Sequence, residues 1–281
     1  MRINAIKLLV IAILLPYSIT AQAGIRAILD IEVIKGENVE KYAEIVTFDE
    51  DRFRIDFVGE DKKVTNETPY IMTTDGGDTW VMGDKPKDRF YCTSMKTSEF
   101  FKVVGDKVSG AIDFFNVKAE TPEVTKNFEQ PGPEMHGLKT NHVQIETNAN
   151  AYAWFLFFKF EYSAKVTEDI WYTPDVDIHP VRKKWLNAIT QSGNSIIDQY
   201  TNDYLSKLPG PVLKRKSVTE ITDERKKKTK IQEERASYTE VTEVSSEELD
   251  KVFVMPKCEM MDENEVEEKA KALFSAGRIM L

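Results

Sequence analysis

Three histidines, two cysteines and one run of four basic residues are the side chains of this chain whose types could do chemistry. His136 and His142 could share a strand face, but His179 lies far along the chain, and no acidic or Cys partner stands at metal-ligand spacing. No metal and no cofactor are therefore expected. Cys92 and Cys258 are too few for a disulfide-dense scaffold. In an oxidising compartment they could pair and close a long loop; the other reading is two separate thiols. Arg225-Lys226-Lys227-Lys228, with Lys230 and Lys214-Arg215-Lys216 nearby, is the basic cluster of an acidic protein. It suits anionic lipid headgroups or an acidic partner, at about 1 kcal/mol per cation near a charged surface. Flanked by Asp223, Glu224 and Glu233, it equally suits a solvated hairpin turn.

Enzyme signatures are missing. The sequence holds no G-x-S-x-G elbow, H-E-x-x-H pair, C-x-x-C or phosphate-cradling glycine loop. With 47 acidic residues, chance carboxylate pairs are unavoidable and carry no signal. The expectation is a protein that is not an enzyme.

Residues 1–23 read as a secretory signal. Arg2 and Lys7 form the charged region, Leu8–Leu15 the apolar region, and Ala21-Gln22-Ala23 a small-residue cleavage site before Gly24. The apolar stretch is far short of the ~20 residues that span a bilayer, so no transmembrane span is expected after cleavage. Cleavage removes two positive charges and no acids, which moves the formal net charge from −9 to −11. So acidic a chain repels phosphate backbones, and nucleic acid is excluded as a partner. A periplasmic or secreted bacterial protein is expected.

Elements must now position these residues. Ile25–Lys35, Tyr42–Phe48 and Arg52–Val58 alternate apolar and polar residues, as antiparallel strands with one wet face do. Tyr70–Thr74, Thr79–Met82 and Arg89–Cys92 extend the series to six strands in a meander, with Gly76-Gly77 suited to a tight hairpin. From Thr97 to Phe115 the spacing becomes helical, through Phe101, Val104, Val108, Ile112 and Phe115. Val117–Phe128 reads as strand or loop, and Leu138–Thr147 as a strand. A second helix starts near Pro180 and runs over Val181–Leu208, interrupted by Gly193. Val212–Ile221 and Lys230–Val244 make a last hairpin, and Ser245-x-x-Glu248 is a capping box. Residues 24–260 are expected to form one β domain, with a helix and tail over 261–281.

Between these elements lies the most apolar run after the N-terminus, Tyr152–Tyr162. Read with period 2 as one strand, it places Tyr152, Trp154, Leu156, Phe158, Phe160 and Tyr162 on a single face. Left open, that face would expose several hundred Å2 of apolar surface, about the largest patch a monomer shows. Helices of the same chain, a partner or an apolar ligand must cover it. A packed core and a ligand groove are both compatible with the pattern.

The ends and middle of the chain also resemble a known group. The Trp-containing hairpin Asp75–Met82, the strand end Ile170-Trp-Tyr-Thr-Pro174, the turn Leu208-Pro-Gly-Pro211 and the closing Val241-x-x-Val244-Ser245…Leu249-Asp250…Phe253-x-x-Pro256 carry it. They look like a bacterial domain-of-unknown-function family with the fold of the periplasmic lipoprotein carrier LolA and its LolB-like relatives. The resemblance implies a mainly β, α+β architecture: a curved, unclosed antiparallel half-barrel with helices plugging its concave side. In the carriers the groove holds acyl chains, so an apolar small molecule, lipid or lipoprotein is the implied partner. Residues Phe115–Asn148 and the charged hairpin turn depart from that pattern. The alternative is a cell-envelope protein–protein interaction module with a solid core and no ligand.

Overall fold

The computed structural model describes residues 24–85, 90–99, 101–102, 105–106, 109, 117–155, 158–254 and 259–260. The expected signal segment 1–23, Leu156, Cys258 and the expected C-terminal helix and tail over 261–281 lie outside them.

Alternation at the start of the chain produces the expected meander. β1 (Gly24–Lys35), β2 (Asn38–Phe48), β3 (Phe53–Val58), β4 (Tyr70–Thr73), β5 (Thr79–Asp84) and β6 (Tyr91–Lys96) each pair antiparallel with the next. At the β4–β5 turn, Gly76 and Gly77 adopt φ of 68° and 86°, a region that side chains with a Cβ avoid. β1 also pairs with a strand from the far end of the chain, β12 (Lys228–Val244). Through β12 the sheet continues to β11 (Val212–Asp223), β10 (Phe158–Tyr172) and β9 (Asn141–Phe155). β7 (Val117–Ala119) and β8 (Glu123–Pro131) both pair along the outer edge of β9. β13 (Glu259–Met260) joins β6 in the parallel sense. The thirteen described strands form one open, mostly antiparallel sheet.

The expected second helix is two. α1 (Pro180–Ile189) starts with proline in its first turn, and α2 (Ser195–Leu205) follows a break at Gly193, φ 85°. Asn194 restarts the helix: its side-chain oxygen accepts from the backbone N–H groups of Ile196 and Ile197, which otherwise lack partners. α3 (Ser246–Val252) begins with the anticipated capping box of Ser245 and Glu248. Residues 97–99, 101–102, 105–106 and 109 are helical, within the first helix read from the sequence.

One hydrophobic cluster joins these elements. It contains Ile25, Leu29 and Ile31 of β1, Phe53 and Ile55 of β3, Val143 and Ile145 of β9, Ile170 of β10, and Val181, Leu186 and Tyr204 of α1 and α2. Both helices therefore place side chains among those of one sheet face, here called the inner face.

Tyr152–Tyr162 is not a single strand. β9 ends at Phe155, β10 begins at Phe158, and Phe155 pairs with Phe158 across a tight reversal. Cross-strand partners share a face, so the register redistributes the five of the six residues that are described. Tyr152 stands opposite Glu161 and Trp154 opposite Lys159, whereas Phe160 stands opposite Ala153 and Tyr162 opposite Ala151. Tyr152 and Trp154 thus occupy one set of rows, and Phe158, Phe160 and Tyr162 the other. Only the second set continues the rows of Val143 and Ile145, the inner face. The single six-residue face expected from period 2 does not form, because a reversal between two strands preserves alternation within each but inverts it across the turn.

Candidate functional site

The inner face changes character along its length. Near β1 it is apolar; beside that core, five charged side chains and four tyrosines are buried or half-buried. Leu29 has Glu44 opposite it on β2 and Tyr238 opposite it on β12, which places both polar residues in one cross-strand row. Arg182 of α1 interacts electrostatically with both, and its guanidinium lies 5.5 Å from the Phe53 ring centroid. Glu44 and Tyr238 are each 2% exposed and Arg182 5%. Among the described residues Glu44 Oε2, Tyr238 Oη and Arg182 Nε and Nη1 find no hydrogen-bond partner. Loss of solvent is the dominant cause of two opposed shifts here. Burial pushes the Glu44 carboxyl up to about 8 against the pull of Arg182, and pushes the Arg182 guanidinium down to about 10. Each group is held toward its neutral form.

Two strands further along, Arg215 of β11 bridges two carboxylates. Its Nη1 donates to Glu168 Oε1 at 3.2 Å and its Nη2 donates to Glu234. Burial alone would lower the Arg215 pKa, but Glu168 and Glu234 raise it well beyond the ordinary value. Burial first, then these carboxylates, raise the neighbouring phenols: Tyr200 of α2 up to about 12, and Tyr42 and Tyr204 further. This belt can hold a proton on Glu44 and resist ionisation of its tyrosines, and it brings Arg182, Tyr200 and Tyr204 of the helices against Glu44, Glu168 and Arg215 of the sheet.

Past the belt, toward the β9–β10 reversal, the inner face opens. Ala149 and Ala151 of β9 stand beside Ala164 and Tyr162 of β10, whose partners on β11 are Ile221 and Asp223. The alanines and Val166 are half-buried, while Tyr162 is 42% and Ile221 37% exposed. Small side chains in adjacent rows stand here beside an exposed tyrosine and an exposed isoleucine. A separate polar cleft of about 430 Å3 lies between the β5 turn and α1, lined by Asp78, Lys96, Lys184 and Gln191 among others. An ion pair of Lys184 with Asp78 crosses it.

The residues singled out from sequence scatter. His136 sits in the turn after β8, and its Nε2 meets the Tyr238 carbonyl oxygen at 2.9 Å. His142 lies on β9, 3.0 Å from Asp169 and stacked on Trp171 with centroids 4.3 Å apart. His179 is 2% exposed, donates from Nε2 to the Asp49 carbonyl at 2.7 Å, and packs edge-on against Phe48. Burial lowers its pKa, partly offset by the Asp49 carbonyl. Among the described residues no group of three potential ligands comes together for a metal. Arg225–Lys228 lie at the exposed β11–β12 turn, where the Lys226 N–H donates to Asp223 Oδ1 at 3.0 Å and its ammonium stands 3.2 Å from the same carboxylate.

Cys92 is disulfide-bonded and buried, with the Tyr70 hydroxyl 3.2 Å from its sulfur. The other cysteine of the sequence, Cys258, lies outside the described residues, but Met260 pairs with Cys92 across β13 and β6. We expect Cys92 and Cys258 to be joined. Replacing both by Ala should lower stability by about 2–4 kcal/mol. Peptide mapping without reductant checks the bond, and urea unfolding of the double variant checks the magnitude.

Sequence reasoning missed the buried belt. Its signal was present: Glu44 occupies the inward position of the series Tyr42, Val46, Phe48, and Glu168 that of Val166, Ile170, Tyr172. A charged residue in an inward row needs a partner, and only the fold brings Arg182 and Arg215 to them.

No protein-family model matches the chain, and no curated protein matches it. Two solved structures bear a distant likeness. PNGF-II matches at TM-score 0.36 and 11% identity over 88% of this chain; the match covers 32% of that chain, so this chain spans about a third of it. A LolA superfamily protein from Nitrosomonas europaea matches at TM-score 0.26 and 8% identity, over 84% of this chain and 92% of that one. Among the described residues no helix is long and apolar enough to cross a membrane.

Proposed function

We propose that this is a non-enzymatic periplasmic or secreted protein that binds an apolar ligand, a lipid or lipoprotein acyl chain, along a trough of β9 and β10. The observation that carries this reading is the run of small, half-buried residues Ala149, Ala151 and Ala164 beside the exposed Tyr162 and Ile221. From Thr147 to Phe155 the strand rises roughly 27 Å at ~3.4 Å per residue. That exceeds the ~15 Å of hydrocarbon in one bilayer leaflet. In this reading the sheet curves as a half-barrel, with α1 and α2 plugging its concave side and the trough continuing past them. Binding makes no bonds: ten buried methylenes contribute about 8 kcal/mol before the costs of association.

Lipid extraction and mass spectrometry of the purified protein test the proposal, together with titration by a fluorescent fatty acid. Filling the trough with Ala151→Trp and Ala164→Trp should weaken the fatty acid at least tenfold, with little change in stability at these half-exposed positions. A lipid-free protein that ignores the fatty acid would remove the ligand. Closing of the core by Trp185, Leu186, Tyr204 and Leu208 supports a second reading, a cell-envelope interaction module with a solid interior. In that case in-cell cross-linking gives a specific protein adduct while extraction yields no lipid. The export reading has its own check: the N-terminus of the exported protein should be Gly24.

A further inference from the structure

We propose that the end of the sheet formed by the β9–β10 and β11–β12 hairpins docks on an anionic lipid bilayer. Two features far apart in sequence become neighbours there. Tyr162 pairs with Asp223, Asp223 with Lys228, and the Glu224 N–H donates to the Glu161 carbonyl at 3.0 Å. The basic turn Arg225–Lys228 therefore flanks the first residues of β10. β9 and β10 go on pairing past the last β10–β11 pair, as far as Phe155 opposite Phe158. β10 runs on past its last pair with β11 by four residues, roughly 13 Å at ~3.3 Å per residue. At this end Tyr162 is 42% exposed, and Arg225, Lys226, Lys227, Lys228 and Lys230 are exposed beside it.

Charge complementarity selects the occupant. The cations at this turn outnumber its acids, Glu220, Asp223 and Glu224, although the whole chain carries a net charge of −9. Lys159 and Glu161 on β10 offset each other. Exposed apolar side chains beside a run of cations match an anionic interface, where a tyrosine ring settles among the headgroups and lysines meet their phosphates. Tyr162, Ile221 and Ile231, the last 59% exposed, add apolar surface at the same end. Docking of this kind is independent of whether a lipid is carried in the trough.

Sedimentation of the full mature protein with vesicles tests it. Expected is binding to phosphatidylcholine vesicles containing phosphatidylglycerol, weakened by salt, with little binding to pure phosphatidylcholine. At about 1 kcal/mol per cation, roughly fivefold each, changing Arg225, Lys226, Lys227 and Lys228 to Ser should lower anionic binding at least a hundredfold. Tyr162→Ser with Ile231→Ser should leave a weaker, wholly salt-sensitive association. Fatty-acid titration of the same variants, expected unchanged for the serine turn, separates failure of docking from failure of ligand binding. The proposal is overturned if the wild-type protein ignores anionic vesicles at low salt, binds neutral ones equally, or binds unchanged after the turn is neutralised. A protein cross-linked at this end with no vesicle binding would overturn it too.

Discussion

Glu44→Gln should flatten the pH dependence of stability between about pH 4.5 and 8. Burial raises the Glu44 carboxyl in the folded chain from its ordinary 4.5 to about 8, with Arg182 opposing. The folded state then holds a proton that the unfolded chain releases near 4.5. For a carboxyl raised in this way, the stabilising contribution is greatest below the unfolded value. It declines as pH rises, and is lost once pH passes the folded value. At 1.36 kcal/mol per pKa unit the decline amounts to about 5 kcal/mol at most. Glutamine keeps the shape and cannot ionise, so the variant should be the more stable protein at pH 8.5 and nearly equal to wild type at pH 4.5. Urea midpoints at several pH values read this directly. Parallel curves for the two proteins would show that Glu44 finds compensation in the folded state that its surroundings do not reveal.

Arg215→Met should cost about 3–5 kcal/mol, since it strands Glu168 and Glu234 on the buried face without their shared cation. The side chains of those two carboxylates are 6% and 9% exposed, so water cannot replace the guanidinium without an opening of the sheet. Adding Glu168→Leu and Glu234→Leu to the same chain should restore most of the loss, because desolvation of the ions then disappears with their attraction. Denaturant unfolding of the single and triple variants separates the two terms. A single variant within 1 kcal/mol of wild type would mean that the two carboxylates do not depend on this cation.

Much of the architecture was legible from residue order. Alternation in Ile25–Val33 faithfully reports a half-buried strand, since the pleat alone sends successive side chains to opposite faces. In Phe53–Phe57 the expected wet face is instead buried, Arg54 and Asp56 pairing with each other there. The glycine pair at 76–77 and the Ser245…Glu248 box carry their own local chemistry, and both act where expected. The hairpin within Tyr152–Tyr162 was not legible. Its reversal contains no Gly, Pro, Asn or Asp, so nothing local marks it. It is specified instead by the long flanks of β9 and β10, which pair as far down as Asn141 and Tyr172. The break before α2 lay between these cases: Gly193 announced it, while Asn194 as the cap that restarts the helix was missed.

By itself, the order of residues determined most of the strand segments, which segments carry helical stripes, that the chain is acidic with one basic turn, and that it holds few groups suited to catalysis. Only tertiary structure decided that β12 returns to lie beside β1, that Glu44 meets Arg182 and Tyr238 across three elements, and that the aromatic reversal stands next to Arg225–Lys228. The physical reason is range. Alternation, caps and turns are settled by atoms a few residues apart, whereas register and the pairing of buried charges depend on which distant strands share a face, and no local pattern encodes that.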